Sequence, residues 1–138
     1  MSRSRDELIT LINQQIEWLE DNIHSYDILS VGKVLDKLSI LAESFGEEVS
    51  EVYALANTLE DDYKISVAQY MKDNEGSAAK LEREAEVEFA DKKRDWTTAK
   101  NGFKKLNTKL DRIDKILESH RQSISVLVKT SVKNMTGI

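Results

Sequence analysis

The chain has no cysteine and no proline, and only five glycines among its 138 residues. Without cysteine it can build neither a disulfide framework nor a thiolate metal site. Without proline nothing in the sequence forces a helix to stop or kink. Aromatic residues are scarce at 7%, and hydrophobic residues reach 40%. That supply suits helices packed side by side better than a thick core. No apolar run approaches the roughly 18 residues that a membrane-spanning helix requires. The opening residues Met1-Ser2-Arg3-Ser4-Arg5-Asp6-Glu7 lead into mixed apolar and charged sequence rather than an apolar signal core. The expectation is a soluble protein without a membrane association, made of one domain's worth of chain.

Catalytic and metal motifs are missing too. There is no G-x-x-x-x-G-K-[ST], no G-x-G-x-x-G and no H-E-x-x-H. The only histidines, His24 and His120, stand far apart. The lone Asp21-x-x-His24 lacks the second motif that a di-iron bundle needs. Glu82, Glu84, Glu86 and Glu88 alternate, so on a helix they scatter around the axis instead of converging on an ion. No enzyme activity, cofactor or metal is expected.

What is abundant is charge, at 33% of residues, and it is divided unevenly behind a net value of −5. Residues 1–75 hold six basic side chains against sixteen acidic ones, a balance of −10. Residues 76–138 hold fourteen against nine, or +5, and within 92–133 the count is twelve to four. The two halves therefore meet different partners, or each other across subunits.

Apolar residues recur every three or four positions, the mark of an all-helical protein. A first helix is expected over about 5–23, with Leu8, Ile9, Ile12, Ile16, Leu19 and Ile23 on one face. Leu11 and Trp18 form a second flank that faces another helix or subunit. The pattern breaks around Ser25-Tyr26-Asp27, with Asp27 or Ser30 as the next cap. A second helix carries Val31, Val34, Leu35, Leu38, Leu41 and Phe45 and ends at Gly46 as C′ residue. A third carries Val49, Val52, Ala56, Leu59, Tyr63, Val67 and Tyr70. Asp73-Asn74-Glu75-Gly76-Ser77 is the clearest turn, and Ser77 caps the helix after it.

From Trp96 the apolar steps alternate three and four without a slip. This 3.5-residue period places Trp96, Phe103, Leu110, Leu117 and Ile124 at a, and Ala99, Leu106, Ile113, His120 and Leu127 at d. One continuous helix from Ser77 to about Lys133 would be about 85 Å long. The fold class expected is all-α: a helical hairpin with one very long C-terminal coiled-coil helix, two shorter N-terminal helices, and an oligomer formed along the seam. The acidic helical pair covers 1–46 and the hairpin 47–138, as a single structural unit. His120 reads as a polar layer that fixes register or subunit number, or as a pH-sensitive contact.

Lys105, Lys109 and Arg112 follow +4 and +3 spacing and so share a stripe, with Lys104 and Lys115 nearby. Lys92, Lys93, Arg94 and Lys100 extend the charge toward the start of the helix. Such a stripe is either a solvated face or a surface for a polyanion that relieves its self-repulsion. Trp96 and Phe103 are first of all core residues of the seam, and secondarily candidates for base stacking.

A helix rich in Ala and Tyr, a Gly-Ser turn, and a long basic helix ending in Ile116-Leu117-Glu118-Ser119-His120-Arg121-Gln122-Ser123-Ile124-Ser125 make up this organisation. It resembles the small phage recombination mediators of the UvsY type, over about residues 50–133. The resemblance implies a homo-oligomer that binds single-stranded DNA. It implies further that the protein helps a RecA-like recombinase displace a single-strand binding protein and load, in the cytoplasm of a bacterial host. That family carries a Lys-x-Arg on the helix before the turn that contributes to DNA binding, so the resemblance implies a DNA-binding Lys64; here Lys64-Ile65-Ser66 keeps the lysine and loses the arginine. The competing expectations are a coiled-coil interaction or inhibitor module that binds a protein partner through the acidic half, and an acidic DNA mimic.

Overall fold

The computed structural model describes residues 3–22 and 27–135, with the side chains of 131, 132, 134 and 135 left aside. These residues form four α-helices and no strand: α1 (Arg5–Asp21), α2 (Ile28–Asp73), α3 (Ala78–Glu88) and α4 (Ala90–Met135). The all-α expectation holds. Ile23, His24, Ser25 and Tyr26, on which parts of the sequence reading fell, lie outside the described residues.

Contacts divide the chain into two units, one of Met1–Glu48 with Thr108–Ile138 and one of Val49–Asn107. The first is a three-helix core. Leu8, Ile12 and Leu19 of α1, Val31, Leu35, Leu38, Leu41, Ala42 and Phe45 of α2, and Ile113 and Leu117 of α4 are all buried in it. Phe45, Ile12 and Leu38 are fully enclosed. Ser4 starts α1 by accepting a hydrogen bond from the Glu7 amide at 3.2 Å, half of an S-x-x-E capping box. Arg5 of α1 reaches Glu48 of α2 at 3.7 Å.

Asp27 caps α2. Its carboxylate accepts from the Leu29 amide at 3.2 Å and from the Ser30 hydroxyl at 2.6 Å. The Ser30 hydrogen bond, first among the causes, holds the Asp27 carboxyl below its ordinary value of 3.8. A depressed folded value means that the contribution is complete above the unfolded value and is lost as pH falls through the folded one. Asp27→Asn keeps an acceptor oxygen but cannot titrate, so it should flatten the acid limb of a urea-midpoint titration between about pH 5 and 2. Superimposable acid limbs for variant and parent would remove Asp27 as the cap.

Two boundaries differ from the sequence reading. The expected second and third helices are one helix, because Gly46 does not adopt the left-handed conformation of a C′ residue; Gly76 alone among the described residues has a positive φ, at 147°. Phe45 and Val49 bury on the same face on either side of Gly46, so the apolar phase runs through it. A β-carbon on Gly46 would meet only Leu110 Cδ2, at 3.9 Å.

The second correction is that the helix expected to run unbroken from Ser77 is interrupted at Phe89 (φ −106°, ψ 26°). The ladder is barely disturbed, since the Phe89 amide still donates to the Ala85 carbonyl and the Lys93 amide to the Phe89 carbonyl. No glycine or proline marks this position. Tertiary contacts of the second unit do: the Phe89 ring stands edge-on to Tyr70 at 6.3 Å, and the Tyr70 hydroxyl donates to Glu84 of α3 at 2.9 Å. That hydrogen bond raises the Tyr70 pKa. The turn before α3 is as expected, with Gly76 at positive φ and the Ser77 hydroxyl accepting from the Lys80 amide.

Candidate nucleic-acid interface

In the second unit α2 and α4 run antiparallel, as two aromatic pairs between them and a third just ahead of α4 record. Tyr53 meets Phe103 at 4.9 Å, Tyr63 stacks on Trp96 at 5.8 Å and 26°, and Tyr70 meets Phe89. Rising numbers on α2 match falling numbers on α4. The first half of the heptad seam thus finds its helical partner within the chain. Trp96, Ala99, Phe103 and Leu106 are half-buried there. In the first unit Leu110 faces Gly46, Ile113 and Leu117 are buried, and His120 and Ile124 are half-buried. Leu127 is exposed, as are its neighbours Val126 and Val128.

The basic residues fall into two groups. Some are engaged by acids or polar groups of their own unit. Lys92, half-buried, reaches Asp62 at 3.2 Å and donates to the Ser66 hydroxyl at 2.9 Å, and its ammonium lies 5.6 Å from the Phe89 ring centre. Lys64 donates to Glu60 at 2.7 Å across one helical turn. This bond raises the Lys64 pKa and holds Glu60 low, with the charges of Lys64 and Lys100 adding to the effect on Glu60. In the first unit Lys109 donates to the Asn13 side chain at 3.0 Å.

The second group is exposed along α4. Lys93, Arg94, Lys100, Lys104 and Lys105 are exposed on α4 of the second unit. Arg94 lies 3.5 Å from Asp91, an exposed pair that contributes little. Lys93 and Lys105 form no ion pair among the described residues. Lys100 sits over the Trp96 ring at 5.7 Å, close enough for a cation–π contact. At 100° per residue Arg94 and Lys105 fall opposite the a/d seam, and Thr97, Asn101 and Lys104 beside them add neutral donors and one more charge. Between residues 92 and 105 the only acid is Asp95. Arg112 and Lys115 are exposed on α4 of the first unit.

No family model matches this chain, and neither the curated proteins nor the solved structures yield a match. The chemistry of the surface therefore rests on the residues themselves. Among the described residues there is no group of three or more His, Cys, Asp and Glu side chains placed to hold a metal ion. Nor is any helix among them long and apolar enough to cross a membrane.

One residue of this surface belongs to no sequence motif. Tyr53 lies just off the Val49–Ala56–Tyr63 stripe, yet it is half-exposed and touches Phe103. The available signal was an aromatic residue flanking an apolar stripe, the same signal that marks Trp18.

Proposed function

We propose that this protein is a non-enzymatic, homo-oligomeric single-stranded DNA-binding factor of the recombination-mediator kind, which helps a RecA-like recombinase load onto DNA covered by a single-strand binding protein. The observation that carries DNA binding is the run of exposed cations on α4 of the second unit, with five basic side chains facing water and one acid in the interval. Like charges at this density repel, and a phosphate chain relieves the repulsion while releasing its own counterions. The mediator role and the recombinase partner come from the resemblance to the UvsY type. Self-association is supported in the first unit by Val126, Leu127 and Val128, which stay 62%, 37% and 44% exposed. Three consecutive apolar residues cover more than half of a helix's circumference, so a neighbouring helix on one side leaves part of them wet.

The second reading is a protein-interaction module working through its acidic side chains. It is favoured by the engagement of Lys64 and Lys92 with Glu60 and Asp62, which shows acids of α2 neutralising bases nearby. Titration of a labelled single-stranded oligonucleotide across a salt series, with light scattering of the same samples, separates the two. Single-strand binding predicts a steep fall of log K with log salt, about 0.7 per phosphate contact, and a mass above that of one chain. No retention of the oligonucleotide at low salt favours the protein-interaction module, whose acidic side chains meet a basic partner surface.

A further inference from the structure

The Tyr53–Phe103 pair does not behave as core. Tyr53 is 51% exposed although its ring lies 4.9 Å from that of Phe103, at an interplanar angle of 49°. A phenol at the rim of a helix pair presents one ring face to solvent while its other side rests on the partner helix, and it costs little conformational entropy to order. The surroundings on α2 are distinctive. Within one turn on the exposed side the neighbours are Ser50 and Asn57, both uncharged, on a helix whose surface elsewhere carries Glu47, Glu51, Glu60, Asp61 and Asp62. On α4 the partner Phe103 lies between Lys100, one turn earlier, and Lys104, the next residue. A supported aromatic face, free of acids on one flank and bordered by lysines on the other, combines the two elements that bind unpaired nucleotides: a stacking surface and cations for the adjoining phosphates.

We infer that Tyr53, backed by Phe103, stacks on an unpaired base of a single strand, with Lys100 and Lys104 meeting the neighbouring phosphates. The inference rests on the single-strand reading of this face and specifies how that face tells single strands from duplexes. In duplex DNA the bases are stacked on each other and offer no free face, whereas cations alone attract both forms. Tyr53 is therefore the residue that sets the preference, and the exposed lysines and arginine set the affinity.

The test compares three probes of equal length: oligo(dT), the same phosphodiester chain carrying abasic sites, and a duplex. The full chain should hold oligo(dT) roughly 10-fold tighter than the abasic strand, the order of one aromatic–base stack. Tyr53→Ala should erase that difference and leave both the salt slope and abasic-strand binding as they were. Tyr53→Trp should restore it, and its fluorescence should be quenched by oligo(dT) but not by the abasic strand. Because Tyr53 is half-exposed its truncation should leave the fold intact, and unchanged helical circular dichroism of Tyr53→Ala checks this directly. Equal binding of oligo(dT) and the abasic strand by the parent protein overturns the stacking role while leaving phosphate binding intact. Failure to bind any of the three overturns both.

Discussion

Phe45→Ala is expected to destabilise the first unit by about 3–5 kcal/mol, the usual cost of removing a fully enclosed phenyl ring from a core that collapses only in part. Phe45 has 0% exposure and shares its unit with Leu38 and Ile12, also at 0%, and with Ile113 at 1%. Its position makes the loss hard to repair. Gly46 beside it carries no side chain to swing into the space, and the surrounding helices are held by several layers of buried aliphatic residues. A domain of this size has only about 5–15 kcal/mol of net stability, so the variant should show a sharply lower urea midpoint. Urea unfolding followed by far-ultraviolet circular dichroism checks it, and a loss under about 1 kcal/mol would mean that Phe45 is not the centre of this core. Leu29→Ala, at a position 76% exposed, is the paired control and should stay within about 0.5 kcal/mol.

Joint replacement of Lys93, Arg94, Lys104 and Lys105 by Ala should produce the largest functional effect. All four are exposed, so helix content and thermal stability should hardly move, and alanine is itself a good helix former. Binding to single strands of any base sequence should weaken together, because phosphates carry no sequence information. The slope of log K against log salt should become shallower by at most about 2.8, at about 0.7 for each of four lost contacts. The companion variant Lys92→Ala tests the sorting of the basic residues. Lys92 is already engaged by Asp62 and Ser66, so its loss should cost stability of the second unit more than affinity. An unchanged slope in the quadruple variant, or a larger binding defect in Lys92→Ala than in the quadruple variant, would defeat the assignment of this face to phosphate.

These two outcomes would also separate the roles of the two units. The core variant acts through buried apolar area, which responds to a weakly interacting monovalent salt far less than charge–charge contacts do. The charge variant acts through counterion release, which is nothing but salt dependence. A single protein preparation studied at several ionic strengths thus distinguishes a folding defect from a binding defect without any assumption about the partner.

Much of this architecture was legible from the sequence because it depends on local periodicity. Leu8, Ile12 and Leu19, then Val31, Leu35, Leu38, Leu41 and Phe45, then Val49, Ala56 and Tyr63, recur at steps of three, four or seven residues, and the same residues are buried. Helical geometry converts that spacing into one apolar stripe whatever lies opposite it. The turn at Gly76 and the cap at Ser77 were equally readable, and Asp27 was one of two caps on offer with Ser30, since glycine at positive φ and side-chain oxygens ahead of a helix act over three or four residues. Three things were decided only by tertiary structure. Gly46 looks like a helix end, but burial of Phe45 and Val49 on one face outweighs the roughly 1 kcal/mol that glycine costs inside a helix. Phe89 lies in good helix-forming sequence, yet α3 ends there, where its ring meets Tyr70 and Tyr70 in turn holds Glu84. The basic residues looked alike as a string of lysines, and only the position of Glu60, Asp62, Ser66 and Asn13 separates the engaged Lys64, Lys92 and Lys109 from the outward-facing Lys93 and Lys105. The common reason is range: periodicity and caps are settled within a few residues of chain, whereas a break, an ion pair or an exposed ring depends on which distant segment arrives beside it.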